Sequence, residues 1–214
     1  MITVKSFEFN YFAVNTYVLH DETGDGVLID CGCFRKAEEE ELTNYITSNN
    51  ITLKHLLCTH LHVDHVFGNE FVHRTFGLKP QAHKADDEGL PTPLEQARKF
   101  GIMDKVRAVK IGKYIVGNDV IRFGNSELVA RLVPGHSPGS LIFYNQKNGF
   151  AIVGDAIFNR GIGRTDLWGG DRDLLVAAIK DKILSLPDDT ILYPGHGPST
   201  NVVSESLNNP FLVI

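Results

Sequence analysis

Residues 59–65 read Thr-His-Leu-His-Val-Asp-His, so four side chains able to bind a metal, His60, His62, Asp64 and His65, fall within six residues. With nine His and 15 Asp among 214 residues, this run arises by chance in roughly one such chain per thousand. It directly follows a strand-like stretch, Leu56-Leu57-Cys58. The fold must therefore end a strand at the cluster and turn the chain there. In an extended segment His60 and His62 point to the same side. Asp64 and His65 follow as the chain turns towards a helix, where they can face a second ion. Ligands on a loop at a rigid strand end converge with little further loss of chain entropy.

Three more residues occur in matching contexts. His136 lies in Val133-Pro134-Gly135-His136-Ser137-Pro138-Gly139, Asp155 in Val153-Gly154-Asp155, and His196 in Tyr193-Pro194-Gly195-His196-Gly197-Pro198. Each follows a strand-like run, and glycine lets the backbone turn sharply there. Four strand ends that each deliver a nitrogen or oxygen ligand point to a metal site rather than to packing. Imidazole and carboxylate without thiolate suit Zn, Fe or Mn. His20, His55 and His73 read as structural or exposed, while His83, after a short strand-like run, is a candidate to approach the pocket. Cys31, Cys33 and Cys58 read as small buried thiols. Asp30, after an early strand, is placed either to hold a ligand histidine by its far nitrogen or to fix a turn.

The rest of the chain reads as alternating blocks of strands and helices. Short apolar runs at 14–19, 27–29, 55–57, 120–123, 128–133, 141–144, 150–153 and 191–193 predict strands. Leu175, Ile179, Ile183 and Leu186 predict a helix that Asp171 and Asp173 start and Pro187 stops. Leu42, Tyr45 and Ile46 mark a second helix, and Phe67, Phe71 and Phe76 a third. This pattern fits a layered α/β architecture in one domain over 1–214. No repeat of ~20–50 residues is present, nor either glycine-rich nucleotide-binding loop.

The formal net charge is −5, which gives no support to a nucleic-acid or anionic-membrane partner. No apolar run approaches the ~18 residues of a membrane helix. The first ten residues, with Lys5 and Glu8, do not read as a signal peptide, and an odd number of cysteines suits a reducing compartment. A cytoplasmic protein is expected. The tract 98–113 carries Arg98, Lys99, Lys105, Arg107, Lys110 and Lys113 against Asp104. It is either a solvated face or a cationic rim that attracts an anionic substrate.

Asp30, the 60–65 cluster, His136, Asp155 and His196 together resemble the metallo-β-lactamase-fold hydrolases over nearly the whole chain. Within that superfamily Gly161-Ile162-Gly163-Arg164-Thr165-Asp166 is similar to the glyoxalase II-like proteins. These include short bacterial hydroxyacylglutathione hydrolases and the related persulfide dioxygenases. The resemblance implies a four-layer αββα sandwich with two divalent metals, Zn before Fe or Mn, at one edge. His60, His62 and His136 would bind the first metal and Asp64, His65 and His196 the second, with Asp155 bridging. A metal-bridging hydroxide would then attack a carbonyl carbon, with Asp64 orienting it. The small-molecule substrate implied first is a hydroxyacyl thioester, whose thiolate leaves readily. The alternative is a persulfide dioxygenase with one iron on His60, His136 and Asp155; a lactonase is a further ester-cleaving option. Full-length glyoxalase II carries a C-terminal helical domain that helps hold glutathione, whereas only 18 residues follow His196 here, with no basic residue among the last seven. Arg164 and the tract 98–113 are the candidates to take over that role, although Arg164 can equally pair with Asp166. No residue pattern names an oligomer interface.

Overall fold

The computed structural model describes residues 1–102 and 106–212; Asp104 and Lys105 of the basic tract lie outside the described residues. One sheet joins β1 (Thr3–Phe9), β2 (Val14–His20), β3 (Asp25–Ile29), β4 (Thr52–Leu57), β5 (Pro80–Ala82) and β6 (Lys113–Tyr114) in sequence order. The first three strands are antiparallel and the last four run parallel. The chain then forms β7 (Val120–Phe123), β8 (Ser126–Leu132), β9 (Leu141–Asn145) and β10 (Phe150–Gly154). A short hairpin, β11 (Ile157–Phe158) with β12 (Gly161–Ile162), precedes β13 (Ile191–Pro194) and β14 (Thr200–Asn201). The second sheet has the order β14-β13-β10-β9-β8-β7.

Among the described residues seven helices connect or cover these strands: α1 (Lys36–Ser48), α2 (Val63–Val66), α3 (Asn69–Phe76), α4 (Lys84–Gly89), α5 (Pro93–Lys99), α6 (Arg172–Lys182) and α7 (Val202–Asn208). Their starts follow from sequence. Asp171 caps α6 by accepting from Leu174 N, and Thr92 with Glu95 forms a capping box at α5, with Pro93 in the first turn. α6 ends at Lys182, before Pro187, yet Ile183 and Leu186 still pack in the core. The phenylalanine stripe is split: Phe67 closes α2, Gly68 intervenes, and Phe71 and Phe76 belong to α3.

Strand alternation sets the layers. Tyr17 and Leu19 of β2, with Ile29 and Leu57, face Phe123, Leu128, Phe143 and Ile152 of the other sheet. Val18 and Leu28 point the other way, onto Leu42 and Ile46 of α1 and Phe71 of α3. Behind the second sheet, Ile142, Ala151 and Val153 meet Leu175 and Ile179 of α6 and Val202 of α7. The result is helix, sheet, sheet, helix. β9 and β10 are buried along their whole length, as strands covered on both faces must be. β1 escaped the run-based reading because only Phe7 and Phe9 among its seven residues are buried. Among the described residues no helix is long and apolar enough to cross a membrane.

The ends of β3, β4, β8, β10 and β13 lie at one edge of the sandwich. Backbone bonds draw the two sheets together there: Leu141 N donates to Thr59 O at 2.7 Å, and Asn15 N to Gly195 O at 2.7 Å.

Candidate metal centre

β4 ends at Leu57, and the next eight residues carry His60, His62, Asp64 and His65 into α2. β8, β10 and β13 deliver His136, Asp155 and His196 to the same place. Among the described residues three groups converge, each with ligand atoms within 4.8 Å of one another: the two sets His60–His62–His136 and Asp64–His65–His196, and a third, Asp30–His60–His65, that shares one histidine with each.

In the first set His136 Nε2 lies 3.2 Å from His60 Nε2 and 2.9 Å from His62 Nδ1. The far nitrogens decide the tautomers. His136 Nδ1 donates to the Arg164 carbonyl at 2.8 Å. Thr59 gives its hydroxyl proton to Asp30 at 2.6 Å, so His60 Nδ1 donates to Thr59 Oγ1 at 3.0 Å. The inward Nε2 atoms of His60 and His136 are therefore bare lone pairs at close quarters. Such lone pairs repel unless a cation lies among them, so this donor set fits a divalent metal.

Asp155 stands between the sets. Its Oδ1 is 3.4 Å from His65 Nε2, and its Oδ2 is 3.5 Å from His196 Nε2 and 3.7 Å from His136 Nε2. Asp64 Oδ2 is 3.4 Å from His196 Nε2 and 3.7 Å from His65 Nε2. His65 Nε2 and Asp155 Oδ1 are buried without a hydrogen-bond partner. Orphaned buried polar atoms are rare in a folded protein, and here a metal would satisfy both.

Burial, then the neighbouring imidazoles, holds His60 well below the usual imidazole range and His62 down at about 3, so both stay neutral and able to donate lone pairs. Burial pushes His65 and His196 the same way. The Asp155 and Asp64 carboxylates outweigh it, raising His65 well above its ordinary value and His196 to about 9. Burial raises the two carboxylates, but the charges of His65 and His196 hold both below the carboxylate range.

A layer of partners fixes these side chains. Asp30, with φ +52°, accepts from Thr59 N at 2.7 Å and from His65 Nδ1 at 3.1 Å, so one carboxylate aims two histidines. His196 Nδ1 donates to Phe12 O at 2.9 Å. Asn10 Nδ2 donates to Asp64 O at 3.1 Å and to Gly32 O at 2.9 Å. A Cβ at Gly195 would strike the Asp155 carboxylate and His65, and one at Gly163 would strike the Asp155 carbonyl and the His136 ring.

Two buried residues with no sequence signature complete the frame. Asp86 in α4 accepts from Leu61 N at 2.9 Å, Gly139 N at 2.5 Å and Ser137 Oγ at 2.9 Å, tying the His62 loop to the His136 loop. Gln96 in α5 accepts from Val63 N at 3.0 Å and donates to Leu61 O at 3.0 Å and Pro91 O at 2.8 Å, so it brackets His62. Asp and Gln are ordinarily surface residues, and only the fold shows these two as buried.

The remaining expected residues lie further out. His83 caps α4, its Nδ1 accepting from Ala85 N at 3.1 Å. The Arg164 side chain pairs with Asp166 through two 2.7 Å bonds, and both groups are largely exposed. Its carbonyl, not its guanidinium, contacts His136. In the basic tract Arg98, Arg107, Lys110 and Lys113 are exposed, and Arg107 reaches Glu70 at 3.8 Å. Lys99 lies 4.5 Å over the ring of Trp168, which is 6.3 Å from His62. The three cysteines are buried and free.

The chain is 32% identical over 202 residues to the hydroxyacylglutathione hydrolase GloC of Haemophilus influenzae, covering 94% of this chain and 93% of that one. Among solved structures it resembles the BLEG-1 B3 metallo-beta-lactamase, with a TM-score of 0.89, 32% identity and 99% and 100% of the two chains covered. It also resembles TTHA1623 in a di-iron-bound form, with a TM-score of 0.84, 30% identity and 98% and 100% coverage. The description of the metallo-beta-lactamase superfamily matches residues 10–196, the interval that runs from the Asn10 bracket on Asp64 to the last histidine of the cluster. With both histidine sets meeting on Asp155 at the edge of an αββα sandwich, the chain belongs to the metallo-β-lactamase superfamily.

Proposed function

We propose that the chain is a two-metal hydrolase of hydroxyacyl thioesters, acting on a small molecule in the cytoplasm. The observation that carries this reading is Asp155, whose two oxygens face His65 on one side and His136 and His196 on the other. A carboxylate so placed suits two cations rather than one. His60, His62 and His136 would hold the first ion and Asp64, His65 and His196 the second, with Zn before Fe or Mn. When bound, such a pair supplies a water nucleophile active at neutral pH and an electrophile for the substrate carbonyl.

The chain's own residues do the positioning. Asp64 Oδ2 lies 3.4 Å from His196 Nε2, and Asn10 holds the Asp64 main-chain carbonyl, so its carboxylate would be placed to orient an attacking water. Neutral His60 and His62 donate lone pairs without first losing a proton. The thiolate of a thioester leaves without strong general-acid help, so the reaction asks little more of the centre than a positioned nucleophile. The name of the GloC relative supports the thioester; the net charge of −5 supports a small substrate over nucleic acid.

The test is metal content per chain on protein purified without added metal, with thioester hydrolysis and persulfide-dependent oxygen uptake assayed on the same sample. About two divalent ions per chain and a hydrolysis rate abolished by chelator are expected. One iron per chain, with oxygen uptake only when a persulfide is added, would overturn the reading.

A further inference from the structure

Three aromatic rings form an arch that starts beside His62 at Trp168, passes through Phe100 and ends at Phe12, whose main-chain carbonyl meets His196. Phe12 lies in the turn between β1 and β2, where Asn10 and Ala13 take φ values of +57° and +54°. Its carbonyl receives the His196 proton. Phe100 closes α5, its ring 6.3 Å from Phe12 and 6.2 Å from Trp168. Trp168 completes the span 6.3 Å from His62. The arch is preorganised. Lys99 covers Trp168 at 4.5 Å, the Phe100 ring meets Trp168 at 83°, and Phe12 packs on Phe67 at 6.4 Å. Yet Phe12 is 39% and Phe100 40% exposed.

Aromatic surface held rigid and wet beside a polar centre has no use in the core, but it offers an apolar group a wall at small entropic cost. Two cationic side chains are already engaged, Arg164 with Asp166 and Lys99 with Trp168 itself. The wall therefore suits the apolar part of a substrate better than a charged one.

Building on the hydrolase reading, we propose that Phe12, Phe100 and Trp168 select the acyl group, favouring hydroxyacyl thioesters with an aromatic substituent over those with a methyl group. A ring seated edge-on or offset against the arch sheds apolar surface that a methyl group lacks. Discrimination of about tenfold or more is expected, since one methylene alone can give that much.

The test compares S-mandeloyl- and S-lactoyl-N-acetylcysteamine on the metal-loaded full chain, with each kcat/KM divided by the rate of alkaline hydrolysis of the same ester. The parent chain should prefer mandeloyl by at least about tenfold, and Phe100→Ala and Phe12→Ala should each bring the ratio towards one. Trp168 is the sole tryptophan in the sequence, so its emission reports occupancy independently of turnover. Mandelate and lactate share the same hydroxyl and carboxylate, so a difference between them belongs to the ring. Mandelate should change that emission at a concentration about tenfold lower than lactate. A corrected ratio near one, a ratio unchanged in both variants, or equal titrations by the two acids would overturn the proposal. Failure to cleave either thioester would sink the hydrolase reading alone, and the emission titration would then decide the arch.

Discussion

Asp155 and Asp64 are both carboxylates beside His196, yet they do different work. Asp155 faces both histidine sets, whereas Asp64 faces only His65 and His196. Asp155→Asn should therefore lower metal content at both positions, and Asp64→Asn at one. Elemental analysis of the two variants, dialysed in parallel, checks this; retention of two ions by Asp155→Asn would contradict the shared carboxylate. Turnover should fall at least about a hundredfold in each. At this scale the sequence was highly legible. His60, His62, Asp64 and His65 declare themselves by spacing, and His136, Asp155 and His196 by their place after a strand. Asp30 left two readings open from sequence; in the fold its carboxylate contacts both Thr59 and His65.

Secondary elements hold what the residues supply. The β4–α2 loop is clamped from outside by α4 through Asp86 and by α5 through Gln96. Gln96→Ala would leave Leu61 O and Val63 N buried without partners, at a cost of about 1–3 kcal/mol for such groups. Thermal unfolding should show that loss. Competition with a chelator should show metal affinity weakened about 10–100-fold, as for other groups one step removed from the metal. Unchanged affinity with a lowered Tm would mean that α5 supports the fold but not the centre. Neither clamp was legible in sequence, because Asp86 sits in an ordinary acidic run, Asp86-Asp87-Glu88, and Gln96 in a short helix of mixed composition.

Across the molecule the two sheets are also clasped away from the metal edge. Asp21, in the turn after β2, accepts from Asn125 N at 2.7 Å in the β7–β8 turn, from Ser126 Oγ at 2.8 Å at the start of β8, and from Thr23. Burial pushes its carboxyl up, but these hydrogen bonds outweigh that and hold it down at about 2. A carboxylate depressed on folding stabilises the protein above its unfolded pKa near 3.8 and loses that contribution as pH falls from there towards 2. At neutral pH the contribution is of order 2 kcal/mol. Asp21→Asn should lower stability at pH 7 by about that amount while narrowing the gap to the parent near pH 2. Denaturant titrations at both pH values decide it, and a gap independent of pH would rule out the ionised clasp.

The sequence alone determined the candidate donor cluster and the type of layering, because both depend on short-range order. A strand end followed by histidine needs only a few residues to be recognised, and strand and helix periods are local. Only the tertiary structure decided what surrounds those ligands. The Arg164 and Phe12 carbonyls orient His136 and His196, Asp86 and Gln96 are buried as braces, and Phe12, Phe100 and Trp168 meet from three distant segments. A backbone carbonyl carries no sequence signature, and a polar or aromatic side chain shows its role only when chain closure brings it to one edge of the sandwich.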